Sequence, residues 1–362
     1  MLTNTSKNCV ALRGITWDDP RGYGPLSEID NAFPGNVKVQ WDIQPLEGFE
    51  SRSVVELARQ YDILNIDHPH VGEAVSENAL HPVGNIEDTF LGLSLASYTL
   101  NGEVWAVPVD AACMVSAYSD RAIDKPPHSY PEVFALAKSA RIAMPLAGVH
   151  SLMALLTLLA QYKSPLSDDI DGSWPSPDAF ERVVRELKSL TECCLPESLD
   201  WNPLQAFEAL HSGLCDYTPL TFAYASACRG TVNFRPVPSL NDLASFGAVL
   251  GGTGLAVSAY CEHLDAALRY TRFVGSQAAQ VEIWAENEGQ PACRAAWLAL
   301  SETDPFYRDL LPAVERARIR PRYRGWNRRQ TEAGNAINCW LRRGNTDSNT
   351  LREELQYIWL TT

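Results

Sequence analysis

Apolar and polar positions change period along the first third of the chain. Residues 10–16 form a short β-like run, and the Trp17-Asp18-Asp19-Pro20-Arg21-Gly22-Tyr23-Gly24 segment after it is rich in turn formers. Proline suits the first helical turn, where its missing N–H forfeits no bond, so a helix is expected from about Pro25. A second strand is expected over 36–41 and a third over 61–66 (YDILNI), which stops at Asp67-His68-Pro69-His70. Between them, Val54, Val55 and Ala58 give 52–59 an amphipathic helical spacing. Strand, helix, strand, helix, strand predicts a parallel sheet with helices packed on it.

Further along, 105–109 (WAVPV) reads as a short strand ending at Asp110, and 114–118 as another. A helix over 130–139, a strand over 141–144 and a buried apolar helix after His150 follow. Residues 176–191 place Phe180, Val183, Val184 and Leu187 on one helical face. The intervening 165–177 is polar, and its SDDIDG run lacks the spacing and distal Glu of a calcium loop, so it reads as a surface loop. Residues 232–238 are extended. The chain then passes through Phe246-Gly247-Ala248-Val249-Leu250 into a glycine-rich return turn at Gly251, Gly252 and Thr253, and a helix is expected over 263–274.

At 362 residues the chain is long enough for two domains, and its 46% hydrophobic and 20% charged residues are ordinary for a globular protein. The net charge of −14 argues against nucleic acid as a partner. The exception is an arginine run, Arg316, Arg318, Arg320, Arg322, Arg324, Arg328 and Arg329, which reads as a solvated face or inter-lobe salt bridges, with an anion-binding surface as the alternative. Nine cysteines, an odd count with no C-x-x-C pair, fit neither a disulfide framework nor a structural zinc site. Residues 1–10 lack the apolar core of a leader peptide, and no later run approaches the ~20 apolar residues of a membrane span. A cytoplasmic location is therefore expected for the chain as written, and a periplasmic one if a leader has been removed.

Several stretches, in order, carry a resemblance: YDILNID near 65, NGEVWAVPVDAA, CDYTPLTFAYA, GGTGLAVS with the helix EHLDAALRYTRFVGS, and GQPACRAAW. Together the chain resembles the family 1 extracellular solute-binding proteins, the carbohydrate-type receptors of ABC importers. The resemblance implies an α/β, periplasmic-binding-protein-like fold of type II, with two Rossmann-like lobes, a hinge and an interlobe ligand cleft. The implied lobes are 1–112 plus 249–300, and 113–248 plus 301–362. A small-molecule ligand and the permease subunits of an importer are the implied partners; no cofactor and no metal is implied. The sequence departs from the family in having Thr253 where an aromatic residue is usual, and in lacking a visible secretion signal.

Ligands of open α/β sheets sit beyond the carboxyl ends of strands. That rule nominates Trp17, Asp18, Arg21 and Tyr23 after the first strand, where an aromatic face with charged donors and acceptors suits a polyol. A turn with one buried Trp is the alternative there. It also nominates Asp67, His68 and His70 after the third strand, against a capped strand end with ordinary imidazole hydrogen bonds. Asp110 at the hinge crossing, His150 between a strand end and a helix start, Tyr217, Tyr224, Gly252 and Thr253 complete the ligand-binding set. No G-x-S-x-G elbow, Walker A loop or dinucleotide fingerprint is present. A solute receptor is thus the leading function. The alternative is a cytoplasmic enzyme on the same fold, with His68, His70, His150 and Asp67 running acid–base or metal chemistry.

Overall fold

The computed structural model describes residues 9–168, 170–172, 174–228, 231–239, 248–344 and 347–361. Residues 1–8, which bear on the leader expectation, lie outside the described residues, as do Phe246, Gly247 and parts of the SDDIDG loop. Apart from a two-stranded hairpin, Thr99–Leu100 with Glu103–Val104, the strands are β1 (Val10–Trp17), β2 (Val37–Gln44), β3 (Ile63–Ile66), β4 (Leu80–His81), β5 (Ala106–Ser119), β6 (Tyr217–Phe222), β7 (Val232–Pro236) and β8 (Leu250–Ser258). The chain folds as two compact units, Met1–Ala111 with Gly252–Ala299, and Ala112–Gly251 with Leu300–Thr362.

In the first unit the strand order is β2-β1-β3-β8-β4. β1 runs parallel to both β2 and β3, while β8 is antiparallel to β3 and pairs β4 on its other edge. The β-branched and aliphatic residues Ile15, Leu64, Ile66 and Ala256 face one side of this sheet. They bury against Val54, Leu57 and Ala58 of the helix Val54–Ala58 and Val71 and Ala74 of the helix Val71–Ser76. Ser53 caps the first of these helices by accepting the Glu56 N–H. The parallel strands thereby point their carboxyl ends, Trp17 and Ile66, the same way.

In the second unit β5 lies between β6 and β7, antiparallel to both, with a bulge between Val115 and Ala117. The helix Val149–Gln161 is buried on nearly every side, as its run of leucines requires, and packs against Trp326–Arg342 and Pro177–Glu192. Pro177–Glu192 starts on a Ser176 cap and buries Phe180, Val183, Val184 and Leu187, the expected face.

Four local expectations are corrected. The two short strands expected on either side of Asp110 are one continuous strand, β5, buried at all 14 positions, so Asp110 is no strand end. Gly251, Gly252 and Thr253 are not a turn; they lie within β8, and the glycine at 252 supplies a φ of +111° inside the strand. The segment after β1 is not all loop, because Pro20–Tyr23 is a short helix capped by Asp19. No strand forms over 141–144, where Ile142 makes isolated bridges to Cys194 and Tyr217.

Candidate ligand-binding site

The first unit gathers polar side chains at the carboxyl ends of β1 and β3. Asp19 caps Pro20–Tyr23 by accepting the Arg21 N–H at 3.0 Å, which turns the Arg21 side chain back toward β5. There its Nε and Nη2 donate to the two carboxylate oxygens of Asp110 at 2.7 and 2.8 Å, a bidentate pair with both side chains at most 4% exposed. Burial pushes the Asp110 carboxyl up to about 6; Arg21 opposes the shift, and the neighbouring Asp19 and Asp67 carboxylates add to it.

A second set of bonds fixes the loops. Asn65 on β3 donates to the Thr16 hydroxyl (3.1 Å), which donates to the Gly22 carbonyl (2.7 Å), so β3, β1 and the end of the short helix are tied together. Trp17 is 1% exposed, its ring 5.7 Å from Phe49 and 5.2 Å from the Arg21 guanidinium. A side chain at 22 would overlap the indole, which is why glycine stands there. Trp17 is therefore the floor under Arg21. Asp18 is exposed and Tyr23 half-buried.

After β3, the Asp67 carboxylate accepts the His68 N–H at 2.8 Å and lies 3.2 Å from His68 Nδ1. His68 and His70 are buried in the 3₁₀ turn His68–His70, the first edge-on to Tyr98 and the second tilted against Phe49. Asp67 remains partly exposed. Gly252 lies against the backbone of Asp110 and Ala111, where any Cβ would overlap the Asp110 carbonyl. The Thr253 hydroxyl is buried beside it in β8.

Sequence reasoning missed Gln290. Its side-chain amide donates to the Ala111 carbonyl at 2.6 Å, and its backbone carbonyl accepts the Ala111 N–H. The Gly289-Gln290-Pro291 motif was the available signal.

In the second unit His150 is not between elements but is the second residue of Val149–Gln161, 6% exposed. Burial first, and Arg320 second, push its imidazole down to about 4, so it is neutral at pH 7. Arg320 donates to the Leu250 carbonyl at 3.1 Å, and its guanidinium stands over the Phe222 ring. Arg329 is likewise buried, bonded to the Trp359 and Arg324 carbonyls. The arginine run is therefore not uniformly a solvated face. Tyr217 is fully buried at the start of β6, and Tyr224 packs its ring 5.4 Å from Phe207.

Among the described residues no group of three His, Cys, Asp or Glu side chains could hold a metal ion. No described helix is long and apolar enough to cross a membrane.

No family model matches the chain, and no curated protein matches it in sequence. Solved structures do. Maltose-bound MalE3 of T. maritima is similar with a TM-score of 0.79 at 17% identity, covering 98% of this chain and 100% of that one. An ABC-transporter solute-binding protein from Thermotoga lettingae TMO, bound with α-D-tagatose, is similar at 0.80 and 14%, covering 96% and 98%. The GacH receptor of Streptomyces glaucescens, solved unliganded and with acarbose, is similar at 0.78 and 16%, covering 97% and 98%. The chain has the periplasmic-binding-protein fold. The similarity runs over nearly the whole of each matched chain.

Proposed function

We propose that this periplasmic-binding-protein-fold chain is a solute receptor for a small polar, sugar-like ligand, serving the permease subunits of an ABC importer. The observation that carries the reading is the fold match, end to end, to proteins whose structures hold maltose, tagatose or acarbose. The chemistry at the carboxyl ends of β1 and β3 supports it. Fixed carboxylates and a guanidinium over an aromatic floor offer directional acceptors and donors for hydroxyl groups. The Asp19, Arg21, Asp67, His68 and His70 side chains are the ones expected to orient the ligand.

A thermal-shift screen tests the proposal with maltose, maltotriose, D-tagatose, acarbose, free carboxylic acids and divalent metals. A ligand that binds only the native state raises the melting temperature by mass action, by about 2.7 kcal/mol of stability at a hundredfold excess over Kd. A saccharide is expected to give the largest shift. A shift produced only by metals or acids would sink the sugar-receptor reading. Work on the permease side would use the genes flanking this one: importer subunits are expected, and a biosynthetic cluster would count against the role.

A further inference from the structure

Asp110 occupies an unusual position. It is the penultimate residue of the first unit before the chain leaves it at Ala111, and its carbonyl lies against Gly252, where the chain returns. The Gly289-Gln290-Pro291 segment closes on the same place, with Pro291 bridging Asp110 and Gln290 bonded to Ala111. The Asp110 side chain meanwhile reaches the loop after β1 and holds Arg21 through both carboxylate oxygens. One residue thus joins the crossing strand to the loop that carries Asp18, Asp19, Arg21 and Tyr23.

A buried ion pair adds little net stability over apolar side chains of the same volume, whereas a two-point carboxylate–guanidinium contact fixes direction closely. We propose that Asp110 is a positioning residue for ligand binding. Its ionised carboxylate sets the Arg21 guanidinium, and with it the loop after β1, in the ligand-competent arrangement, so that protonation of Asp110 weakens the ligand. The inference rests on the solute-receptor reading.

Charged groups act on Asp110 from two elements. The short helix and its cap supply Arg21 and Asp19, and the turn after β3 supplies Asp67. Gln290 and Gly252 contribute no charge. Burial together with the two carboxylates brings Asp110 to about 6, so it changes state within an accessible range. A site competent only when ionised binds in proportion to the ionised fraction, which falls about tenfold for each pH unit below the pKa.

Isothermal titration of the full chain with maltose, maltotriose, D-tagatose and acarbose between pH 7.5 and 5 tests this. The wild type is expected to lose about tenfold in affinity toward pH 5, with a midpoint near 6. Binding at pH 5.5 should release most of one proton, read from the dependence of the heat on buffer ionisation enthalpy. Asp110→Asn should bind at pH 7.5 at least as weakly as the wild type does at pH 5, with a flat profile. His68→Gln and His70→Gln, which remove imidazoles of the ligand-orienting set, should weaken binding by the same factor at every pH and keep the slope. A flat wild-type profile, a slope retained in Asp110→Asn, or a slope abolished in either histidine variant would each overturn the proposal. Should Asp110→Asn fail to fold, the wild-type proton release and the histidine variants still decide it. If none of the four sugars binds at any pH, the sugar-receptor reading falls and takes this inference with it; a sugar that binds with a flat profile removes the inference alone.

Discussion

Gly252 carries two constraints at one Cα, a φ of +111° and a Cβ direction aimed at the Asp110 carbonyl. Alanine there should cost roughly 2–4 kcal/mol, combining backbone strain with forced displacement of a neighbouring strand. Denaturant unfolding measures it, and an unchanged midpoint would mean that the Asp110 backbone moves aside freely. The titrating residues act with opposite signs. His150 is depressed from 6.5 to about 4, so its unfolded form binds the proton first. It contributes stability that is present above pH 6.5 and lost as pH falls toward 4, on the order of 3 kcal/mol in all. His150→Gln should flatten the stability profile across that window. Asp110 is raised from 3.8 to about 6, and its contribution is present below pH 3.8 and lost as pH rises through 6. Strand-end logic nominated both residues as polar groups near a ligand. It could not foresee that Trp17 would lie beneath Arg21, because a sequence does not say which face of an indole is covered.

At the scale of elements, legibility followed patterning. The β1, β2 and β3 strands, the helix from about Pro25 and the one at Val54–Ala58 were evident, whereas the short helices Pro20–Tyr23 and Leu46–Ser51, too brief to show a period, were not. The Pro177–Glu192 helix was equally plain, with four apolar residues on one face and a serine cap. β5 was read as two pieces because all its positions are buried, which leaves no alternation, and because Pro108 and Asp110 interrupt the apolar run. β8 was read as a turn for a related reason: three glycines within five residues normally signal chain reversal, and here they admit close neighbours. The Gly289-Gln290-Pro291 segment was recognised only as a motif, and its work is done by long-range hydrogen bonds that no local period reveals. Just beyond it, the fully buried Gln280 side chain accepts from the Ala292 and Cys293 N–H groups and donates to the Val274 carbonyl at 3.1 Å. Gln280→Ala should leave those groups without their side-chain partner at a cost of about 2–4 kcal/mol. Hydrogen exchange at Ala292 should accelerate in the same variant; protection equal to wild type would show that another acceptor takes over.

At the scale of the whole molecule, the first unit is assembled from two separated pieces of chain, Met1–Ala111 and Gly252–Ala299. The second piece is not an accessory. It brings β8, which lies between β3 and β4 and pairs with both. It also brings the Leu264–Gly275 helix, whose Tyr270 donates to Asp30 at 2.6 Å. Residues 9–111 alone would therefore expose the full edge of β3 and the apolar faces that Ala256 and Tyr270 cover, and should show no cooperative thermal transition. The two pieces meet where Gly252 lies against Asp110 and Ala111, so a short Gly-Ser linker can join 111 directly to 252. The fused chain of 9–111 and 252–299 should melt cooperatively and keep the Asp110–Arg21 pair, because both residues, the Asp19 cap and the Trp17 ring beneath Arg21 lie within it. Circular dichroism through a thermal ramp compares the two chains. A cooperative melt from 9–111 alone would show that β8 is dispensable, and a fused chain without one would show that the first unit depends on the second for its stability.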